Sequence, residues 1–458
     1  MICRKLKVIE QMAGGHGLSS RYDELEIRGV TIDSRNVTKG DLFVPIVRQL
    51  NGHDYVQEAI AGGAVASLWQ TSHPNPPQDV PLIYVDDSLE ALQRIAAAYR
   101  RELPVKVIGI TGSNGKTTTK DMINSVAATT YRVHKTAGNL NSQIGVPLTL
   151  LQISDNDDVA VIEMGMSERG QIERLSLMCR PDTAIITMIG VSHLSSLGSR
   201  ENIAEAKLEI VSGMTDEGVL IYSGDEPLLV NRIEELQRSK PFKAVRFGER
   251  PSNDIRAETV ETDSEGSSFT VGSAKYRIPL LGAHNVQNAL AAAAAASQLG
   301  IPADKIAEGF QALTLTGMRM EKIMSPHGFL IINDAWNASP ISMAAAIDAV
   351  KQLEGFSRRF LVLGDMLELG EQEEEYHRDI GRTIDPGAID FVFTIGSLGK
   401  YIALEAEKRF PPGSGRVRSF EDKEELVKEL ICSLKERDAI LLKGSRGMQL
   451  ETIVPFLL

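Results

Sequence analysis

The sequence predicts an α/β protein of three domains, and three observations carry that expectation. Its 458 residues exceed what one hydrophobic core organises, and at ~100–200 residues per domain such a chain divides into about three. Short β-branched runs alternate with segments of helical spacing, the pattern of mostly parallel sheets. Two breaks interrupt it, one at Leu103-Pro104, where proline disfavours helix in the residue before it, and one near Thr314-Leu315-Thr316-Gly317. The expected domains are a small N-terminal α/β unit over residues 1–103, a central P-loop unit over 104–314, and a smaller Rossmann-like, doubly wound unit over 315–458.

Within the first unit, Val30 to Arg35 reads as a strand entering a polar turn, and Gly40 to Ile46 as a second strand. Tyr55 to Gly62 has helical spacing, Pro74 to Pro77 is a loop, and Leu82 to Val85 is a strand. Ser88 to Arg101 is then a helix with Ser88 as its expected N-cap. In the central unit, Val159 to Ile162 and Thr183 to Met188 are continuous apolar runs, as strands buried on both faces require. Ligands of such sheets collect beyond the C-terminal strand ends, which draws attention to Glu163-Met164-Gly165 and Gly190-Val191-Ser192-His193.

Asn202 to Ser212 reads as a helix carrying Lys207. Phe242 to Leu281 reads as an antiparallel appendage with a turn at Asp263-Ser264-Glu265-Gly266, and Ala289 to Leu299 as an Ala-rich helix packed on the sheet. In the third unit, strands recur at Leu330 to Ile332, Phe360 to Leu363, Phe391 to Thr394 and Ala439 to Leu442. It carries no GxGxxG at its first turn, so dinucleotide binding is not expected. Gly364-Asp365-Met366-Leu367-Glu368-Leu369-Gly370 forms a loop at a strand end, a place for substrate contacts.

Composition narrows the class. Hydrophobic residues make up 43% and charged residues 24%, ordinary for a globular protein. The net charge of −12 argues against nucleic acid as the main partner. Cys3, Cys179 and Cys432 form no CxxC pair, so neither a disulfide framework nor a zinc site is expected. No apolar run approaches the ~20 residues of a membrane span. The N-terminus lacks a signal-peptide core, which makes a cytoplasmic location the expectation.

The chemistry centres on Val105 to Thr118. A β-branched run enters Gly112-Ser113-Asn114-Gly115, and Lys116-Thr117-Thr118 opens a helix. This is the strand–loop–helix of a P-loop, whose amides cradle phosphate oxygens at a helix N-terminus. Lys116 is expected to neutralise the β/γ-phosphates and the Thr117 hydroxyl to meet Mg²⁺. A strict P-loop has glycine where this chain has Ile110, so the loop rests on Gly112 and Gly115. ATP or GTP is the expected ligand.

Six segments in fixed order resemble the Mur ligase superfamily: Thr111 to Thr117, Glu163-Met164-Gly165, Ala206 to Ile210, His284 to Ala289, Met318 to Glu321 and Asn333 to Ala338. The resemblance spans the whole chain. It is closest to the members that add a dipeptide, through Asp33-Ser34-Arg35, Asn139-Leu140-Asn141, Asn337 to Pro340, Gly364 to Gly370 and Lys443 to Met448. The D-N-P-R loop of siblings that add a single amino acid is absent. Departures are Trp336 where Tyr is usual, Ser339, Ser142, and Ser195-Ser196-Leu197.

The resemblance implies ATP-dependent amide formation. A carboxylate of UDP-N-acetylmuramoyl tripeptide is phosphorylated, and D-Ala-D-Ala then attacks the acyl phosphate. It implies catalytic roles for Lys116, His193 and Lys207, and two Mg²⁺ held by Thr117, Glu163, His193 and a carbamylated Lys207. It implies ATP contacts from Gly112 to Thr118, Asn285, Arg319 and Asp334. Substrate contacts are implied at Ser34, Arg35, Asn139, Asn141 and Asn337, with a monomer closing its second and third domains over ATP. On the residues alone other readings stand: Glu163 as a helix-capping partner, His193 as a hydrogen-bonding loop residue, Lys207 as a solvated cation, Asn285 as a cap, and Asp33-Ser34-Arg35 as a plain polar turn. A P-loop switch is disfavoured, because no N-K-x-D is present and the strand after the P-loop helix ends in Glu163.

Overall fold

The structure is a computed structural model that describes every residue of the chain except Ser264. The first hundred residues build a four-stranded parallel sheet in the order of the chain: β1 (Gly29–Thr31), β2 (Asp41–Phe43), β3 (Ala66–Gln70) and β4 (Leu82–Val85). Helix α1 (Ser88–Glu102) follows. Its N-cap is Asp87, whose carboxylate accepts the Glu90 amide at 2.8 Å, and not Ser88. Asp87 has the extended backbone that a cap requires, whereas Ser88 is already helical and buried.

The central sheet has seven strands, all parallel. In chain order they are β5 (Lys106–Thr111), β6 (Val133–Lys135), β7 (Val159–Glu163), β8 (Thr183–Ile186), β9 (Val219–Ser223), β10 (Lys243–Gly248) and β11 (Ile255–Arg256). In space they run β11-β10-β9-β8-β5-β7-β6. Alternation along its inner strands explains their unbroken apolar sequence. Ala160, Ile162, Ala184 and Ile186 face a core shared with the N-terminal unit. Val159, Val161 and Ile185 face the opposite core, which is filled by α2 (Lys116–Ala127) and α4 (Ala283–Gln298). The small side chains of Ala289 and of Ala291 to Ala296 allow this close packing.

Two expectations are corrected here. The antiparallel appendage is confined to β12 (Val260–Asp263), β13 (Gly266–Val271) and β14 (Ala274–Ile278). Residues 243–256 extend the parallel sheet instead, because β10 pairs with β9. The expected turn at Asp263 to Gly266 includes Ser264, which lies outside the described residues. The helix that carries Lys207 is α3 (Arg200–Leu208), capped by Ser199, and a 3₁₀ turn completes it over Glu209–Gly213.

After α5 (Ala303–Gln311), a linker enters the third sheet. Its strands are β15 (Glu321–Met324), β16 (Leu330–Asp334), β17 (Arg358–Gly364), β18 (Phe391–Ile395), β19 (Val417–Phe420) and β20 (Asp438–Lys443). They run β15-β16-β20-β17-β18-β19, with β15 antiparallel and the others parallel. Helix α6 (Pro340–Lys351) starts at Ser339 with a reciprocal capping box. No helix of the described residues is long and apolar enough to cross a membrane.

Candidate active site

Strand β5 delivers the P-loop. Ile110 is fully buried in the strand, so it belongs to the core and not to the loop. The two loop glycines are required by geometry. Gly112 has φ +144°, and a Cβ there would meet Thr187 Oγ1 at 1.9 Å. Gly115, the N-cap of α2, has φ +80°, and its Cβ would meet Asn288 Oδ1 at 2.3 Å. Thr187 fixes the loop from outside by donating to the Asn114 carbonyl at 2.6 Å. Ser113 donates its amide to Met188 O at 2.9 Å.

Lys116 folds back over this loop and donates to Gly112 O at 2.8 Å. Burial lowers the pKa of its ammonium, the nearby Arg319 lowers it further, and Glu163 opposes them. At the end of β7, Glu163 is buried and accepts from the Thr117 hydroxyl at 2.8 Å and from Asn141 Nδ2 at 2.7 Å. It caps no helix. Lys120, one turn beyond Lys116 and wholly buried, places Nζ 3.8 Å from Glu163 Oε2.

The P-loop opens on a cavity of about 830 Å³, within the usual range for a ligand site. The strand ends of two sheets meet there. Lys116, Thr117, Thr118, Glu163 and Asn141 come from the central unit, and Arg319, Asp334, Trp336, Asn337 and Lys443 from the C-terminal one. Ser113, Asn114, Gly115, His193 and Asn285 also line it. Across the interface the Ser339 hydroxyl reaches Asn114 Oδ1 at 3.3 Å.

Asp334 is tied to its own unit. Its Oδ2 lies 2.5 Å from Lys443 Nζ and its Oδ1 accepts the Met320 amide at 3.1 Å. Asn285 Nδ2 donates to Leu281 O at 2.9 Å and the residue lines the cavity; it does not cap α4, whose N-cap is Gly282. His193 has a left-handed φ of +63°, and its Nδ1 stands 2.8 Å from Glu368 Oε2 of the C-terminal unit. Burial lowers its pKa, with Lys207 and Lys116 adding and Glu368 opposing.

Lys207 is not a solvated cation. It is 1% exposed, and burial followed by the field of Lys116 pulls its pKa well below the ordinary 10.5, against Glu209. Five of the expected residues do not line the cavity: Gly112, Asn139 and Lys207 of the central unit, and Ser34 and Arg35 of the N-terminal unit. There the Arg35 guanidinium is folded onto Asp33, with Nε at 2.8 Å, and holds that carboxyl well below the usual range.

The residues fit Mg²⁺ unevenly. Thr117 and Glu163 place two hard oxygen donors 2.8 Å apart, the donor type that Mg²⁺ takes. Ser113 Oγ and Arg319 Nε are buried beside them without a hydrogen-bond partner. His193 is a soft addition, and a Lys207 amine ligates Mg²⁺ poorly unless carbon dioxide converts it to a carbamate. Lys120, Asp121 and Lys443 were not singled out for the site from sequence. The spacing of Lys120, four residues after Lys116 on one helix face, is the signal that points to it.

Comparison with known proteins fits this geometry. Three family models match in succession: Mur ligase family, catalytic domain, over residues 26–100; Mur ligase middle domain over 110–296; and Mur ligase, glutamate ligase domain, over 318–446. A relative from Bacillus subtilis (strain 168), named UDP-N-acetylmuramoyl-tripeptide–D-alanyl-D-alanine ligase, is 48% identical over 99% of this chain and 98% of its own. The chain belongs to the Mur ligase family. A relative of the same name from Escherichia coli (strain K12) is 34% identical over 94% of each chain. Among solved structures, this Mur ligase is similar to MurF from Acinetobacter baumannii, with TM-score 0.86, 29% identity and coverage of 99% and 98% of the two chains. It is also similar to the MurF ligase from Thermotoga maritima in complex with ADP, with TM-score 0.80, 25% identity and coverage of 94% and 97%. The three-domain fold and the use of ATP follow from this membership.

Proposed function

We propose that this Mur ligase joins D-alanyl-D-alanine to the free carboxylate of UDP-N-acetylmuramoyl tripeptide, with release of ADP and phosphate. The observation that supports it most is that Lys116 and Arg319, cations of two different domains, border one cavity with the Thr117–Glu163 pair. A reaction that brings a carboxylate up to a triphosphate must first neutralise the charge on both.

The tripeptide carboxylate attacks the γ-phosphorus, and the bond to the β-phosphate oxygen breaks. The dipeptide amine then attacks the acyl carbon, and inorganic phosphate leaves. In this scheme residues 104–314 hold ATP through the P-loop from Gly112 to Thr118 and through Asn285. Residues 1–103 hold the UDP-sugar, with Ser34 and Arg35 in contact. Residues 315–458 bring the dipeptide and, through Arg319 and Asp334, close on the nucleotide. Asn139, Asn141 and Asn337 contact the substrates.

Mg²⁺, when bound, would supply positive charge that offsets the phosphates. Thr117 and Glu163 would hold one ion, and His193 with a carbamylated Lys207 the other. Lys116 screens the γ-phosphate, and closure keeps water from the acyl phosphate. The protein acts as a monomer in this scheme. Synthesis of peptidoglycan precursors places the enzyme in the cytoplasm.

Phosphate release tests the reading. It should require ATP, tripeptide and dipeptide together, and Lys116→Ala should keep the fold while losing at least ~100-fold in rate, the scale of one oxyanion contact in a dry site. Release without either acceptor, or a Lys116→Ala rate within tenfold of the parent, would contradict it.

A further inference from the structure

A second charged cluster lies behind the P-loop. Asp121, in the second turn of α2, is fully buried, as is its neighbour Lys120. One carboxylate oxygen, Oδ1, accepts from Lys135 Nζ of β6 at 2.8 Å and stands 3.8 Å from Lys120 Nζ. The other, Oδ2, accepts the backbone N–H of Thr316 at 2.7 Å, from 195 residues away. Thr316 belongs to the linker between α5 and β15, the point where the chain passes from the central domain to the C-terminal one.

The linker is held from the far side as well. The Met318 amide donates to Glu321 Oε2 at 3.0 Å and the Met320 amide to Asp334 Oδ1 at 3.1 Å. Both methionines are left-handed, with φ of +62° and +50°, a conformation that persists only where surroundings impose it. Between them stands Arg319, whose side chain lines the cavity and whose Nε has no partner. Only Gly317 and Met318 therefore separate the residue bonded to the P-loop helix from the one whose guanidinium enters the nucleotide cavity. Buried ion pairs bring little net stability because desolvation offsets their attraction. Registry is the better account of this one.

We propose that Asp121 is a positioning residue: by holding the Thr316 N–H it fixes the linker so that Arg319 enters the nucleotide cavity, and it ties the P-loop helix to the pivot of the C-terminal domain. The proposal rests on the nucleotide site described above but not on which acceptors are joined.

Double-mutant cycles on the full-length protein test it, read as affinity for ATP with Mg²⁺, a measurement that needs neither acceptor. Asp121→Ala removes the acceptor of the bond, and Thr316→Pro removes the donor while leaving the lysines their carboxylate. Each should weaken ATP at least ~10-fold in the parent and less than ~2-fold in an Arg319→Ala background, since only contacting or coupled sites depart from additivity. Asp121→Asn keeps an acceptor and loses the charge, so its effect should stay below ~3-fold. Thermal melting checks that each variant folds.

If Thr316→Pro does not fold, the contrast between Asp121→Ala and Asp121→Asn decides. Additive effects in both cycles, or equal losses for Asp121→Ala and Asp121→Asn, would overturn the proposal and leave a purely structural or electrostatic cluster. Failure to ligate D-Ala-D-Ala with the coupling intact would overturn the proposed function alone.

Discussion

Thr117 and Glu163, 46 residues apart, meet through a 2.8 Å hydrogen bond in which the hydroxyl donates to the carboxylate. The bond joins the first turn of α2 to the C-terminal end of β7, so the two oxygen donors are fixed before any ligand arrives. Preorganisation of this kind is what a metal or phosphate site needs, because no reorganisation is then required during reaction.

Glu163→Gln is expected to keep the Thr117 and Asn141 contacts in shape while losing the charge. The Mg²⁺ concentration for half-maximal activity should rise at least ~10-fold, the usual cost of damage around a metal ligand, and the melting temperature should change little. Titration of activity against Mg²⁺ checks it, and an unchanged midpoint would remove Glu163 from the metal site.

Lys207 offers a chemical test. Lys207→Ala should lose nearly all ligation, and acetate or another short carboxylate should restore part of it by supplying the oxygens that a carbamate would. Lys207→Arg should not respond, because its guanidinium fills the space and keeps its charge. Rates across an acetate series measure the effect, and a Lys207→Ala variant close to the parent would exclude a role in the site.

His53 governs part of the acid stability. It is buried, with Nδ1 at 2.9 Å from Asn51 Oδ1 and Nε2 accepting the Gln70 amide at 3.1 Å. Burial, with His73 stacked beside it, pushes its pKa down to about 4 from 6.5. Between those values the unfolded chain binds a proton that the folded chain does not, so stability falls as pH drops from 6.5 towards 4. The contribution is at most about 3 kcal/mol. Urea melts across that window should show a shallower pH slope for His53→Gln than for the parent, and equal slopes would contradict the assignment.

Much of this site could be read in the sequence because its chemistry restricts residue type at marked places. Glycines at positive φ, a lysine and threonine opening a helix, and a carboxylate at the end of an apolar run all leave local signals. The pairing of Asp334 with Lys443, 109 residues apart, and of Asp121 with Thr316 leaves none, since neither helical nor strand period carries it. The same holds for β10, whose short amphipathic segment reads as an antiparallel hairpin until its parallel partner is known. Asp87 and Ser88 are both good caps by type, and only the backbone conformation separates them.

One cavity, lined by residues of all three units, joins a carboxylate to an amine at the expense of ATP. Mass spectrometry of reactions containing ATP, Mg²⁺ and UDP-N-acetylmuramoyl tripeptide, offered either D-Ala-D-Ala or single amino acids, tests it most directly. The expected product is heavier by one dipeptide less one water, formed with D-Ala-D-Ala and absent with single amino acids. Addition of a single amino acid, or ATP consumption with no new amide, would contradict it.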